Sequence, residues 1–452
     1  MIRKTFINVA CRNVDVHNTA CSIMNPVGGN CVCLAMKPQP KTSLVLFRND
    51  LRIHDNEALL EASKADRMIP VYVFDPRKFS ATEYGFPRVG PHRIRFLMES
   101  VQNLRKNLRL RNSDLIIRTG RPEAIVPELA REFGVTEVFL HTEATSEERV
   151  DEDVLEAAIA ALGSPVNHHQ SVHQNTPSSP NPPESEASAG IRLRKFWGST
   201  LYHPDDLSMD PDQVPDVFTD FRKRVEKKSR VREIIAMPDT LPPCPVDDPG
   251  ELPAEETLRA LPDHFLWDES HSDQPHKSVL DFTGGEDAAL ERVRDYIWDG
   301  DHLKNYKETR NGLLGADYSS KFSPWLATGA LSPRHIHEEV RRYEKERVKN
   351  SSTYWMIFEL IWRDYFKFVF IKHENALFRA EGIRKTPHPV EWQRNEHLIR
   401  AWQRGETGIP SSHIHQPHLL SAAEQRKYEI GIGEDYPAPV IDLEASYEKL
   451  RS

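Results

Sequence analysis

The chain has 452 residues, 38% of them hydrophobic and 28% charged, with a formal net charge of -9 at pH 7. This length allows two or three domains with hydrophobic cores, and the acidic balance excludes a protein coated throughout in nucleic-acid-binding charge. The five cysteines do not form a disulfide scaffold or a metal site, because none has a histidine partner at metal-ligand spacing.

Residues 1–42 form a basic leader, with five Lys or Arg residues against Asp15 alone. Such a composition is typical of an organelle transit peptide, although Met24 and Met36 leave an overlong reading frame open. We expect an intracellular protein in either case. It would lie in a plastid or mitochondrion if the leader is a transit peptide, and otherwise in the cytoplasm or nucleus.

Residues 43–163 alternate short apolar runs with amphipathic segments. The apolar runs predict strands at Ser43–Phe47, Ile69–Phe74, Leu115–Arg118 and Glu137–Leu140. The amphipathic segments predict helices at Asn56–Ala65, Arg93–Leu108 and Pro122–Phe133. This order indicates an α/β doubly wound parallel-sheet domain. No G-x-G-x-x-G motif follows the first strand, so a dinucleotide fingerprint is absent.

Two segments without strong periodicity follow. Residues 164–190 are rich in Ser, Pro, Asn, Gln and His, which predicts a disordered insert. Residues 191–284 are interpreted as an inter-domain linker region, whose 235–275 stretch is acidic and proline-rich.

Residues 285–452 are expected to form an all-α domain. The run from Tyr318 to Leu326 places three hydroxyls and Lys321 just before a Ser-Pro helix start, with Ser323 as the N-cap and Pro324 as the first helical residue. Such a start favours an anion, typically phosphate. A second Ser-Pro start follows at Ser332.

The helix predicted at Ser352–Phe368 is apolar almost all round. Its charged residues exclude a membrane span. Glu359 and Arg363 are four residues apart and share a face with Trp362 and Phe366. This face forms either a buried ion pair in an aromatic core or the wall of a cavity for a planar polar ligand.

Five runs of sequence carry a resemblance to a known family: Leu44–Asn56, Trp197–His203, Tyr306–Gly312, Tyr318–Arg334 and Ser352–Phe366. Together they resemble the photolyase/cryptochrome family. The run Trp197–His203 and the later Phe218–Lys223 are most similar to its cryptochrome DASH branch. The resemblance covers residues 43–163 and 191–410 with little interruption.

The resemblance implies cofactors for both domains. The sheet domain would be an antenna domain that can hold a folate such as 5,10-methenyltetrahydrofolate, and Glu143 could hydrogen-bond its pterin or be an exposed loop residue. The helical domain would bind FAD, with Arg363 close to the flavin. The residues that match the family's diphosphate cradle are Tyr306, Ser319, Ser320, Lys321, Phe322 and Ser323.

The resemblance also implies a substrate. Glu359 and Trp362 match catalytic positions that face a flipped pyrimidine dimer, and Arg310 lies beside the DNA backbone in the family. The expected activity is that of a deoxyribodipyrimidine photo-lyase, in which light drives an electron from reduced FAD to the dimer. The expected partner is dimer-containing DNA, preferentially single-stranded, bound by a monomer without a membrane.

The sequence departs from the family after Pro410. The family continues there into helices that carry most contacts to the flavin ring, whereas this chain passes through Ser411 into the family's last segment. This pattern indicates an internal deletion and a truncated helical domain, which predicts weak or absent FAD binding and no repair. Three functions therefore stay open: a light-dependent DNA repair enzyme, a blue-light photoreceptor, and a truncated product with neither activity.

Overall fold

The computed structural model describes residues 40–82, 88–163, 190–258, 280–378, 382–383, 417–428 and 431–434. Nearly all of the leader, most of the 164–190 insert and the junction after Pro410 lie outside these residues. The predictions made for those three segments therefore stay predictions.

Five parallel strands form one sheet in the order β3-β2-β1-β4-β5. They are β1 Thr42–Phe47, β2 Arg67–Phe74, β3 Ile116–Thr119, β4 Val135–His141 and β5 Arg192–Phe196. The chain winds outward from β1 in both directions, so the strand order reverses between β1 and β4. Ligands of open α/β sheets bind at the carboxyl ends of the strands beside such a reversal.

The helices, in chain order, are α1 Glu57–Ala62, α2 Pro91–Arg109, α3 Pro122–Glu132, α4 Ser146–Ala160, α5 Phe218–Lys228, α6 Glu255–Leu258, α7 Glu286–Arg294, α8 Tyr306–Thr309, α9 Ser323–Thr328, α10 Pro333–Glu346, α11 Ser351–His373 and α12 Ala422–Tyr428. Within the described part of the chain, none is both long and apolar enough to cross a membrane.

Alternation along β1 divides the core of the sheet region into two layers. Val45 and Phe47 pack with α1 and α2 on one face, and Leu44 and Leu46 pack with α3 and α4 on the other. The strands are buried on both faces, which is why they read as nearly continuous apolar runs. The predicted α/β doubly wound sheet is confirmed, with the ends of its predicted elements shifted by at most three residues.

The sheet has a fifth strand that the sequence analysis placed in the linker region. β5 has the sequence RLRKF and lies at the edge of the sheet beside β4. Charged side chains are common on an edge strand, because one of its sides has no neighbour. The charged composition of β5 is therefore the reason that the apolar pattern did not predict it as a strand.

The later part of the linker region hydrogen-bonds to the sheet. The amide of Met68 donates to the carbonyl of Pro243 at 3.2 Å, and the amide of Ile117 donates to that of Pro249 at 2.8 Å. Met68 and Ile117 are 49 residues apart in the sequence, whereas Pro243 and Pro249 are only 6 apart. This short segment therefore runs across β2 and β3 and is attached to the sheet.

The helical region packs around α11, and its largest core cluster joins α5, α7, α10 and α11. Asn350 closes a capping box with Thr353 at the start of α11, and Ser332 caps α10 through the amide of Arg334 at 3.1 Å. The predicted cap at Ser323 is wrong, because α9 begins at Ser323 itself and Phe322 occupies the N-cap without a side-chain hydrogen bond. The buried Phe322 ring fixes this start instead.

Candidate functional site

A cavity of about 570 Å³ lies between the carboxyl end of the sheet and α11. We call it the first cavity. Its lining includes Asn49, Arg52, Glu143, Gly198, Ser199, Leu326, Gly329, Glu359, Trp362, Arg363, Phe366 and Lys367. The sheet contributes residues that follow β1 and β4, at the reversal of strand order, where such sites are expected.

The wall supplied by α11 carries the side chains singled out in the sequence. Glu359, Trp362, Arg363 and Phe366 recur at helical spacing and all line the first cavity. Glu359 and Arg363 do not form the ion pair that one interpretation allowed. Each has a different partner. The geometry therefore agrees with the other interpretation, in which this face of α11 is the wall of a cavity.

Glu359 pairs with Arg310, whose Nη1 lies 2.6 Å from its Oε1. Both side chains are about one-third exposed. Burial raises the pKa of Glu359, and the charge of Arg310 opposes that effect. The carbonyl of Tyr306 accepts the amide of Arg310 at 2.9 Å, and burial together with the charge of Glu359 raises the pKa of the Tyr306 phenol to about 12. The structure therefore brings Tyr306, Arg310 and Glu359 together.

Arg363 is a partly buried cation whose guanidinium donates to neutral carbonyls. Its guanidinium donates to the carbonyl of Ser199 and, at 3.1 Å, to that of Leu326. Burial lowers the pKa of Arg363, while the charges of Asp364 and Glu143 oppose that effect. A cation with two carbonyl acceptors at a cavity wall can still take an anionic or carbonyl-rich ligand.

Trp362 belongs to an aromatic row. Its ring stacks on Phe218 with centroids 3.5 Å apart and an interplanar angle of 10°. Phe366 lies 5.5 Å away at 26°. Because Phe218 covers one face of the indole, at most the other face is available to a base.

Glu143 is not an exposed loop residue. Its Oε2 lies 3.3 Å from Nζ of Lys367, and its side chain is only 10% exposed. The loop is fixed by the buried Glu152, which accepts the amide of Glu143 at 3.0 Å and pairs with Arg48 at 2.5 Å. Burial lowers the pKa of Lys367 and the charge of Glu143 opposes it. Glu143 thus joins the sheet to α11 inside the first cavity.

Most of the predicted diphosphate cradle lies in the loop before α9, while Tyr306 lies in α8 and Ser323 begins α9. Lys321 adopts a left-handed backbone with φ of 60°, and its Nζ lies 3.4 Å from the ring centroid of Tyr318. The buried Arg292 donates to the carbonyl of Ser320 at 3.2 Å. The hydroxyls of three residues make no hydrogen bond to the described residues: Ser319, Ser320 and Ser323. The ring of Phe322 lies in the core, so Phe322 can offer a ligand only its backbone.

A second cavity of about 800 Å³ lies at the carboxyl ends of β1 and β2. We call it the second cavity. Its lining includes Phe47, Asn49, Tyr72, Asp75, His92, Arg93, Glu148, Asp151, Ser323 and Pro324. The cradle residue Ser323 therefore borders the second cavity and not the first. Among the described residues, no group of three His, Cys, Asp or Glu side chains is placed to hold a metal ion.

Sequence reasoning missed several residues of the first cavity, among them Asn49, Arg52 and Lys367. Arg52 is 1% exposed, and its guanidinium donates to the carbonyls of Gly329 at 2.8 Å and Gly198 at 2.9 Å. Asn49 and Arg52 follow directly after a buried strand. That position could have marked them as candidates, because residues there meet at the binding edge of a parallel sheet.

Known proteins match this chain in sequence. A family model described as DNA photolyase matches residues 43–179 and 183–245. Cryptochrome DASH of Gloeobacter violaceus is 45% identical over 371 residues, which cover 82% of this chain and 67% of that protein. Cryptochrome DASH of Natronomonas pharaonis is 36% identical over 510 positions, which cover 90% of this chain and all of that protein.

The fold is similar to that of solved structures as well. The crystal structure of a cryptochrome from Synechocystis sp. PCC6803 superposes with a TM-score of 0.68 and 34% sequence identity. The match covers 92% of this chain and 99% of that one. Sequence and structure agree, and the chain therefore belongs to the photolyase/cryptochrome family, with cryptochromes DASH among its relatives.

Proposed function

We propose that this chain is a cryptochrome DASH-type flavoprotein that uses light and reduced FAD to split cyclobutane pyrimidine dimers, preferentially in single-stranded DNA. The observation that carries the proposal is the wall of the first cavity, on which Glu359, Trp362 and Arg363 lie together. Family membership supports the same reaction. We expect the active form to be a monomer.

The residues present fit FAD at its diphosphate end. Lys321 supplies a cation, and three serine hydroxyls in this loop and at the start of α9 have no partner among the described residues. Arg363 would lie at the flavin, where its guanidinium donates to two carbonyls of the described residues. When bound, the flavin supplies the light-driven electron.

The other side chains of the wall would hold the dimer. The Glu359 carboxyl, with its raised pKa, can hydrogen-bond a thymine edge and steady the charge that develops there. Arg310 fixes Glu359 and lies beside the DNA backbone in this proposal. Trp362, held from behind by Phe218, offers one indole face for an extruded base.

We also propose a folate antenna, such as 5,10-methenyltetrahydrofolate, with Glu143 as its hydrogen-bond partner. The buried position of Glu143 beside Lys367 supports a site between the sheet and α11. Reconstitution with the folate tests this. Glu143→Gln should lower the bound folate released on denaturation, and Glu147→Gln, at an exposed residue in the first turn of α4, should not. Equal folate in both variants would argue against the site.

The experiment that tests the main proposal is the visible absorption spectrum of the purified chain, followed by FAD release on denaturation. A flavin band near one FAD per chain, together with light-dependent loss of dimers from a single-stranded oligonucleotide, is the expected result. Bound FAD with no loss of dimers under light would favour the blue-light photoreceptor instead.

A cofactor-deficient product is the second candidate. The alignment with the N. pharaonis protein spans 510 positions, more than the 452 residues of this chain, so that relative has residues without a counterpart here. This supports the internal deletion inferred after Pro410. A soluble chain that binds DNA but releases no flavin is the expected result for this candidate, and a sequenced transcript across Pro410 and Ser411 checks the junction.

A further inference from the structure

The solvent face of α5 is a row of free cations. Five exposed side chains make no ion pair or hydrogen bond with any described residue: Lys223, Arg224, Lys227, Lys228 and, two residues beyond the helix, Arg230. α5 contains five Lys or Arg residues and two Asp or Glu residues, so its net charge is +3 in a chain whose total is -9. We call these five side chains the α5 basic face.

The opposite side of α5 fixes the helix against the wall of the first cavity. Phe218, Phe221 and Val225 are buried, and Phe218 stacks on Trp362 at 3.5 Å. Farther along, Glu226 accepts from the hydroxyl of Tyr354 at 2.7 Å and from Arg222 at 2.9 Å. Glu226 is therefore already engaged, and α5, which carries the α5 basic face, contacts the wall of the first cavity through Phe218.

We propose that the α5 basic face binds the phosphodiester backbone of the nucleic-acid strand that flanks the nucleotide held in the first cavity. The inference rests on the proposed function in one respect, that a strand enters this cavity. Lys223 to Lys228 spans about 7.5 Å along the helix axis. A strand with one charge per roughly 3.4 Å places two or three phosphates along that length.

The structure favours a nucleic acid over an anionic membrane. Helices that bind membranes insert an apolar face into the lipid. The apolar residues of α5 are all packed against the protein, which leaves only the charged face for a partner. Phosphate contacts need no apolar surface, so they suit a helix of this kind.

The test compares two triple variants in darkness, with an undamaged single-stranded oligonucleotide as the probe. K223Q/K227Q/K228Q removes three charges from the α5 basic face. R67Q/R121Q/R131Q removes three exposed arginines of the sheet region that also lack ion pairs in the described structure. Binding is titrated at several salt concentrations, and thermal melting confirms that both variants fold.

The α5 variant should bind about tenfold more weakly, and the slope of log affinity against log salt should fall by about 0.7 for each lost phosphate contact. The sheet variant should match the parent. Equal slopes for parent and α5 variant would overturn the inference while leaving the proposed function intact. A parent that binds neither this oligonucleotide nor its dimer-containing counterpart would overturn both. Loss of binding to phosphatidylserine vesicles, with oligonucleotide binding kept, would assign the face to a membrane.

Discussion

We expect some charged residues of this protein to contribute little to the free energy of folding but much to ligand binding. The pair of Glu359 and Arg310 is one-third exposed on each side, so its contribution to folding is screened by solvent. Its contribution to recognition is not screened in the same way, because a bound base would displace that solvent. Mutations here should therefore affect binding far more than folding.

Glu359→Gln is the first prediction. The free energy of unfolding should change by less than about 1 kcal/mol. The affinity ratio of a dimer-containing oligonucleotide to its undamaged counterpart should fall about tenfold, since a charged hydrogen bond is lost. Glu226→Gln is the matched control, because Glu226 pairs with Arg222 at similar exposure on a neighbouring helix. An unchanged ratio in Glu359→Gln would remove Glu359 from recognition.

Lys321→Gly is the second prediction. Glycine relieves the left-handed backbone at φ of 60°, but it also loses the contact of Lys321 with Tyr318. The free energy of unfolding should therefore change by less than about 1 kcal/mol. The affinity for FAD, measured by flavin fluorescence, should fall by tenfold or more because a phosphate-binding cation is lost. Asn112→Gly relieves a similar backbone in the loop after α2 and should leave FAD affinity unchanged.

At the scale of elements, α11 organises the site through two adjacent residues. Asp364 accepts the amides of Leu201 at 2.9 Å and Tyr202 at 2.8 Å, while Arg363 donates to the carbonyl of Ser199. α11 therefore fixes the loop of residues 199–202 by bonding both its amide donors and its carbonyl acceptor. This explains why a tight segment after β5 forms part of the wall of the first cavity.

Asp364 gives the third prediction. Burial raises the pKa of this carboxyl from 3.8 to about 7, and it outweighs the two amide donors that favour the ionised form. A raised pKa in the folded state means that stability is lost as pH rises from the unfolded value through the folded one. Asp364→Asn should abolish a decline of up to ~4 kcal/mol between about pH 4 and pH 8. Denaturant titrations across that range measure it, and Asp216→Asn, on an exposed residue, should keep the decline.

Local pattern predicted the elements well, because burial sets the period of both strands and helices. Four strands and three helices of the sheet region follow from apolar runs and amphipathic spacing alone. β5 was not predicted, since an edge strand exposes charged side chains to solvent and so lacks an apolar run. The cap at Ser323 failed because the packing of Phe322, a tertiary contact, decides where α9 begins.

The site could be predicted only in part. Helical spacing placed Glu359, Trp362 and Arg363 on one face, but no local pattern reveals that Arg310 is the partner of Glu359, 49 residues away. The same holds for Glu143 and Lys367, which are 224 residues apart. Such pairs depend on how the sheet and helices come together.

At the scale of the whole molecule, the turn after β1 joins the sheet to the helical region. Glu286, the first residue of α7, accepts the amides of Ile53 at 2.9 Å and His54 at 2.8 Å, and its carboxylate lies 2.5 Å from Nδ1 of His54. Nearby, the buried Asp55 pairs with Arg334 at 2.7 Å. The two regions therefore meet through buried charge.

Glu286→Gln is the fourth prediction. Burial acts to raise the pKa of Glu286, but the hydrogen bonds and charge of His54 hold it below its usual value. A lowered pKa in the folded state contributes stability above the unfolded value of 4.5, and that stability is lost as pH falls. The variant should lose about 3 kcal/mol at neutral pH and show a smaller further loss in acid. Denaturant titrations at neutral and acid pH measure it, and an equal loss for the exposed Glu291→Gln would contradict the assignment.

The hydrogen bonds from Met68 and Ile117 to Pro243 and Pro249 bear on how ligands reach the two cavities. The described part of the connection is bonded to the sheet, and buried charge pairs join the sheet to the helical region, so swinging the two regions apart would break those pairs. We therefore expect ligands to enter through side-chain and loop movement at the rims of the cavities. Association rates for ligands should then be set by movement at the rims of the cavities. A crosslink between the two regions should leave those rates unchanged.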